Sequence, residues 1–153
     1  MQTRAEIVKD WLTAYRNEEK QIDEQLERLR ELRARVMSIG AQEISDMPRA
    51  PLKIKDGLAE YVIRAEEIEM RLSERMRSHE RDRAALLSLL GKMKRNEERR
   101  IIRLRYLFGY EWMDILAEIY KDEEGFAEHR EKYRRRMYRA HESALMDMGR
   151  LWK

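Results

Sequence analysis

The chain has 153 residues, with 33 Lys and Arg against 30 Asp and Glu, so that 41% of it is charged; an average soluble domain carries about 25%. More than half of the residues are Ala, Glu, Lys, Leu or Arg, the composition of long helices and coiled coils, and two Pro and six Gly are too few for a sheet protein with many turns. Cysteine is absent, which excludes a disulfide framework, a thiolate metal site and a cysteine nucleophile. Charges throughout the first twenty residues predict no secretory signal, and no apolar run approaches the roughly 18 residues of a membrane span. The expectation is a soluble, intracellular, all-α protein with no membrane partner. Its cations are unevenly spread: residues 1–91 hold 17 Lys and Arg against 18 Asp and Glu, and residues 92–153 hold 16 against 12.

The first predicted helix runs from about Thr3 to Ile39. Ile22, Leu26, Leu29, Leu32 or Arg33, and Val36 recur every three to four residues, the seam of a coiled coil. Ile7, Trp11, Leu12 and Tyr15 extend the stripe toward the N-terminus, and the remaining positions are almost all charged, as on a solvated face with i,i+4 pairs. Gly40 is expected to end this helix. Pro48 and Pro51 bracket a connector, because proline fixes φ and disfavours helix in the residue before it. A second helix is predicted from about Lys53 to Leu90, on Leu58, Tyr61 or Val62, Ala65, Ile68, Leu72, Met76 and His79. Residues 1–91, with the connector near 40–52, thus read as a helical hairpin or as a coiled coil between chains.

Gly91 marks a change of character. Asn96 is expected to cap the next helix, with Glu97 and Glu98 at its positive end, and three shorter helices follow at about 97–108, 111–120 and 127–148. Their apolar positions include Ile101, Ile102, Leu104 and Leu107, then Trp112, Ile115, Leu116 and Ile119, then Met137, Ala144, Leu145 and Met148. Three such stripes suffice for a small trihelical domain over residues 92–153. In the last helix the apolar positions fall at i, i+7, i+8 and i+11, opposite Arg134, Arg135, Tyr138 and Arg139. A helix with a core face and a cationic, aromatic outer face has what a recognition helix in the DNA major groove requires: Arg forks reach guanine edges or phosphates, and packing fixes the helix angle.

Two stretches carry a resemblance. Ile102-Arg103-Leu104-Arg105-Tyr106-Leu107-Phe108-Gly109-Tyr110-Glu111-Trp112, followed by Ile115, resembles the first two helices of the helix-turn-helix in region 4 of sigma-70-class factors. Tyr138-Arg139-Ala140-His141-Glu142-Ser143-Ala144-Leu145 is similar to the close of the recognition helix in phage and prophage regulators of that type, and Ser45-Asp46-Met47-Pro48 fits the connector between their N-terminal coiled coil and C-terminal helix-turn-helix. The resemblance implies a sequence-specific, double-stranded-DNA-binding transcription regulator of phage or prophage genes. It would work in the bacterial cytoplasm as a homo-oligomer, a dimer, with RNA polymerase as a further candidate partner. By position it assigns DNA contacts to Arg134, Arg135, Tyr138 and Arg139; the second of these places is typically acidic in sigma factors, so Arg135 implies a different target or phosphate contact. The chain departs from the pattern at Lys121–Lys132, where a helix-turn-helix has about 3–4 residues. Either the acidic Asp122-Glu123-Glu124 is a loop insertion, or the recognition helix begins near Ala127 and carries His129 and Arg130 toward the groove. Lys92, Lys94, Arg95, Arg99 and Arg100 are further candidates for phosphate contact.

Other chemistry finds little support. His79, His129 and His141 are far apart, with no partner at metal-ligand spacing, and His141 falls on the core side of its helix. Glu66-Glu67 and Glu97-Glu98 are expected on helix surfaces, without the pocket that acid–base catalysis needs. No enzyme activity, metal or cofactor is expected. Two other classes remain open: a phage DNA-packaging protein of the small-terminase type, and a coiled-coil adaptor that binds no nucleic acid.

Overall fold

The computed structural model describes residues 1–45 and 52–152, with the side chains of 40–45 and 52–56 excepted. Among these residues the chain is all-α. Two long helices, α1 (Arg4–Ser45) and α2 (Leu52–Lys92), precede α3 (Asn96–Ile102), a π-helical turn (Arg103–Leu107), α4 (Trp112–Tyr120) and α5 (Arg130–Leu151). The start of α1 is a reciprocal cap. The Glu6 backbone N–H donates to the Thr3 hydroxyl at 3.2 Å, and the Thr3 N–H donates to the Glu6 carboxylate at 2.7 Å, satisfying two donors that the helix itself leaves free.

Gly40 does not end α1, which continues to Ser45. Glycine inside a helix costs about 1 kcal/mol relative to alanine but keeps its N–H, so it weakens the hydrogen-bond ladder without breaking it. The expected connector residues Asp46–Pro51 lie outside the described residues. Asn96 is the first residue of α3 rather than its cap; Arg95 holds the extended cap conformation, and no side chain caps the end.

The chain divides into two compact units. Residues 18–80 form one, built from the facing parts of α1 and α2. Its core is Ile22, Leu29, Ala65 and Leu72, with Leu26 and Ile68 packed against them, which follows the predicted seam except at Met76, which is exposed. The helices run antiparallel, as their ion pairs show: Arg33 meets Glu69, while Arg75 meets Glu18 at 2.8 Å and His79 meets Glu19. The other unit takes in residues 1–17 as well as 81–153. Val8, Leu12 and Tyr15 of α1 and Leu86 and Leu90 of α2 share one core with Ile102, Tyr106, Ala144, Leu145 and Met148. A second core lies within the C-terminal helices, on Ile101, Ile115, Leu116, Tyr120, Tyr133 and Met137.

Candidate nucleic-acid interface

The stripe on α5 divides it as the spacing predicts. Tyr133, Met137, His141, Ala144, Leu145 and Met148 are buried, and the opposite side carries Lys132, Arg135 and Arg139, all exposed. Arg134 and Tyr138 flank that side, with Tyr138 retaining 36% of its accessibility. The helix begins at Arg130, with His129 at its cap position. The acidic segment before it is therefore a loop and not an extension of the helix to Ala127. It is a folded loop: the Phe126 N–H donates to Glu123 O at 3.2 Å and the His129 N–H to Gly125 O at 2.8 Å. Gly125 takes a φ of 70°, a left-handed conformation that glycine adopts without a Cβ clash. Two anchors tie the loop to the core, the Phe126 ring against the Ile101–Met137 cluster and the Tyr133 hydroxyl donating to Glu124 O at 2.6 Å.

The cations of α5 differ in how they are engaged. Arg136 makes two hydrogen bonds to Glu97, at 3.1 and 3.2 Å, and the same carboxylate accepts from Tyr120, so Arg136 clamps α5 to α3. Arg134 and Arg135 approach Glu131 at 3.8 and 3.9 Å, and the Arg134 guanidinium also stands 5.8 Å from the Tyr138 ring. Pairs this long and exposed are worth about 0–1 kcal/mol and yield readily to a phosphate. Arg139 has no ion-pair partner among the described residues, and Arg130 lies 5.8 Å from the Phe126 ring. Glu131 and Glu142 are the exposed acids interspersed with these cations. Of the outlying candidates, Lys92, Lys94, Arg95 and Arg100 are exposed; Arg95 bonds Glu98 at 3.3 Å and Arg99 bonds Asn96.

The turn that precedes α4 is held from outside its own sequence. The Phe108 N–H donates back to Arg103 O at 3.0 Å and the Tyr110 N–H to Leu104 O at 2.9 Å, with Gly109 at φ 73° in the usual place of a helix-ending glycine. Arg16 of α1, almost fully buried, donates to Arg105 O and Gly109 O at 3.2 Å each and to Glu111 at 2.9 Å. It thereby satisfies carbonyls that a helix end leaves without partners. Arg105 closes the turn by donating to Tyr110 O at 3.1 Å, with its guanidinium 4.6 Å from the centre of the Trp112 ring.

Two buried titratable groups support this packing. The Tyr106 hydroxyl and His141 Nε2 share a hydrogen bond of 2.8 Å. Burial first, then the charges of Lys9 and Arg105, push the His141 imidazole down to about 4, and burial pushes the Tyr106 phenol up to about 12, so both are neutral near pH 7. Glu98, expected on a helix surface, is buried at 3% exposure; burial and the nearby Asp147 charge hold its carboxyl above the usual range. Comparison with models of known protein families, with curated proteins and with solved structures finds no match for this chain.

The sequence reading missed Lys132 and Arg16. Lys132 sits seven residues before Arg139 and on the same outward side. Arg16 follows Val8 and Leu12 at i+8 and i+4, so a charge falls on an apolar stripe; that anomaly was the available signal.

Proposed function

We propose that the chain is a sequence-specific DNA-binding transcription regulator of the sigma-region-4-like type, serving phage or prophage genes, with α5 as the recognition helix and α4 as the helix before it. The observation that carries this reading is the pairing on α5 of Arg135 and Arg139, exposed and loosely engaged or unpaired, with a buried face on Met137, Ala144 and Met148. Such a helix presents guanidinium forks at a fixed angle, which is how base edges and phosphates are read. Arg134, Tyr138 and Arg130 border the proposed contact surface, and Lys132 joins it. The packing by Arg16 and Trp112 supports the reading by fixing the turn between the first two helices of the motif. No helix among the described residues is long and apolar enough to cross a membrane.

The test is selection of bound duplexes from random DNA with the full chain, followed by a salt titration on the selected site. A consensus sequence should emerge. The logarithm of affinity should fall with the logarithm of salt at a slope near −3 or steeper, since each neutralised phosphate contributes roughly 0.9. No enrichment, together with salt-independent binding, would remove the proposal.

A further inference from the structure

A cavity of about 340 Å³ lies between the beginning of α1, the turn before α4 and the middle of α5, of the size that small-molecule sites occupy. Lys9, Arg16, Arg105, Trp112, Tyr138 and His141 line it. Its aromatic and cationic groups adjoin, with the Arg105 guanidinium over one part of the Trp112 ring. Trp112 forms a planar wall, with the Tyr138 ring edge-on at 5.4 Å and the His141 ring edge-on at 4.8 Å. Three cations line it together with one carboxylate, Glu142. Arg16 and Arg105 are committed to the turn carbonyls and to Glu111, whereas Lys9 makes no ion pair with any described residue. Burial chiefly depresses the basicity of His141, and the charges of Lys9 and Arg105 add to it. Of the lining side chains, Tyr138 also borders the outward face of α5, whereas Lys9 and His141 lie off it.

We propose that the cavity binds a small aromatic anion, its ring against Trp112 and Tyr138 and its anionic group toward Lys9. The exposed Tyr138 ring beside Trp112 offers aromatic surface to a ligand ring, and a cation without an ion pair among the described residues gains one when the anion arrives. A neutral ring forfeits the second contribution, and a bare inorganic anion forfeits the first.

The proposal goes beyond the DNA-binding reading and does not depend on it, because binding is measured on the full chain without DNA. Titration calorimetry with phenyl phosphate, inorganic phosphate and benzyl alcohol separates the contributions. Phenyl phosphate should bind one to one and saturably, about tenfold or more tighter than either partial ligand. Lys9→Gln, at an exposed position, should weaken it by about tenfold without changing the melting temperature of the free protein. Absence of saturable binding, equal affinity for benzyl alcohol, or equal affinity in Lys9→Gln would each overturn the assignment. Weakened duplex binding by Lys9→Gln without phenyl phosphate binding would give this cation to the DNA backbone and also overturn it.

Discussion

Arg135 and Leu145 lie on one helix and do opposite work. Arg135 keeps 74% of its side-chain accessibility, and Leu145 keeps 5% of its own. Arg135→Ala and Arg139→Ala should leave the melting temperature nearly unchanged, as exposed substitutions usually do, and weaken binding to the selected site by about 1–3 kcal/mol each where they read bases. Leu145→Ala should cost about 2–5 kcal/mol of folding stability through the lost contacts and the cavity left behind. Melting curves and affinities for the three variants check both halves; Arg variants that bind like the parent would mean that α5 presents another side to its partner. His141 adds a pH dependence. Its imidazole titrates near 4 in the folded chain and near 6.5 when unfolded. As pH falls below about 6.5 the unfolded state takes up a proton that the folded state refuses. The stability His141 confers is therefore present above that pH and lost toward pH 4, by roughly 3 kcal/mol in full. Glu98 works in the opposite sense, because its raised carboxyl favours the folded state as pH falls. The two are separated by comparing parent and His141→Asn melting at about pH 7.5 and about pH 5: the parent should lose more. The core and outer faces of α5 were legible because a helix repeats every 3.6 residues and a single stripe suffices. The role of Arg16 was not, because its partners are carbonyls on Arg105 and Gly109, distant in sequence and invisible to any local pattern.

Among the elements, helix type and approximate position followed from periodicity, and the ends followed less well. α5 was expected to stop near residue 148 and instead runs to Leu151, through Gly149, because packing favours a glycine there. A Cβ on Gly149 would stand 3.2 Å from the Ala5 backbone nitrogen and from Arg4 Cβ, so the absent side chain is what lets α5 approach the first turn of α1. Gly149→Leu should destabilise the chain by about 1–3 kcal/mol through overpacking, although leucine is intrinsically the better helix former. A melting temperature equal to or above the parent's would show that α1 gives way there at little cost. The π-helical turn at Arg103–Leu107 had no local signature either. Only the glycine that follows it was visible, and the Arg16 guanidinium that holds it comes from another helix.

For the molecule as a whole, the sequence suggests a hairpin followed by a trihelical domain, with a change of character at Gly91. The all-α class and the pairing of the two long helices are present in the structure, but residues 1–17 share a core with the C-terminal helices. The expected stripe on Ile7, Trp11, Leu12 and Tyr15 marks this segment as buried, although Val8 takes the core place expected of Ile7, which is exposed, and no stripe names what buries it. Self-association is the remaining question at this scale, and we propose a dimer formed through the hairpin unit. Ile63 and Met70, seven residues apart on α2 and opposite the buried Ala65 and Leu72, keep 56% and 75% of their accessibility, and Met37 of α1 keeps 75%. Exposed Met and Ile on a helix otherwise rich in charge leave apolar surface that a second copy can cover, and helix-turn-helix proteins commonly bind paired half-sites as dimers. Light scattering at tens of micromolar, where an association of about 6–7 kcal/mol is populated, should give twice the chain mass. The double variant Ile63→Glu, Met70→Glu should shift the population toward monomer without unfolding the hairpin, since neither side chain belongs to the Ile22–Leu72 core. A monomer for the parent chain would remove the dimer and leave the hairpin as a purely intramolecular element. In that case one α5 per molecule would face DNA, and a selected site without internal symmetry would be expected.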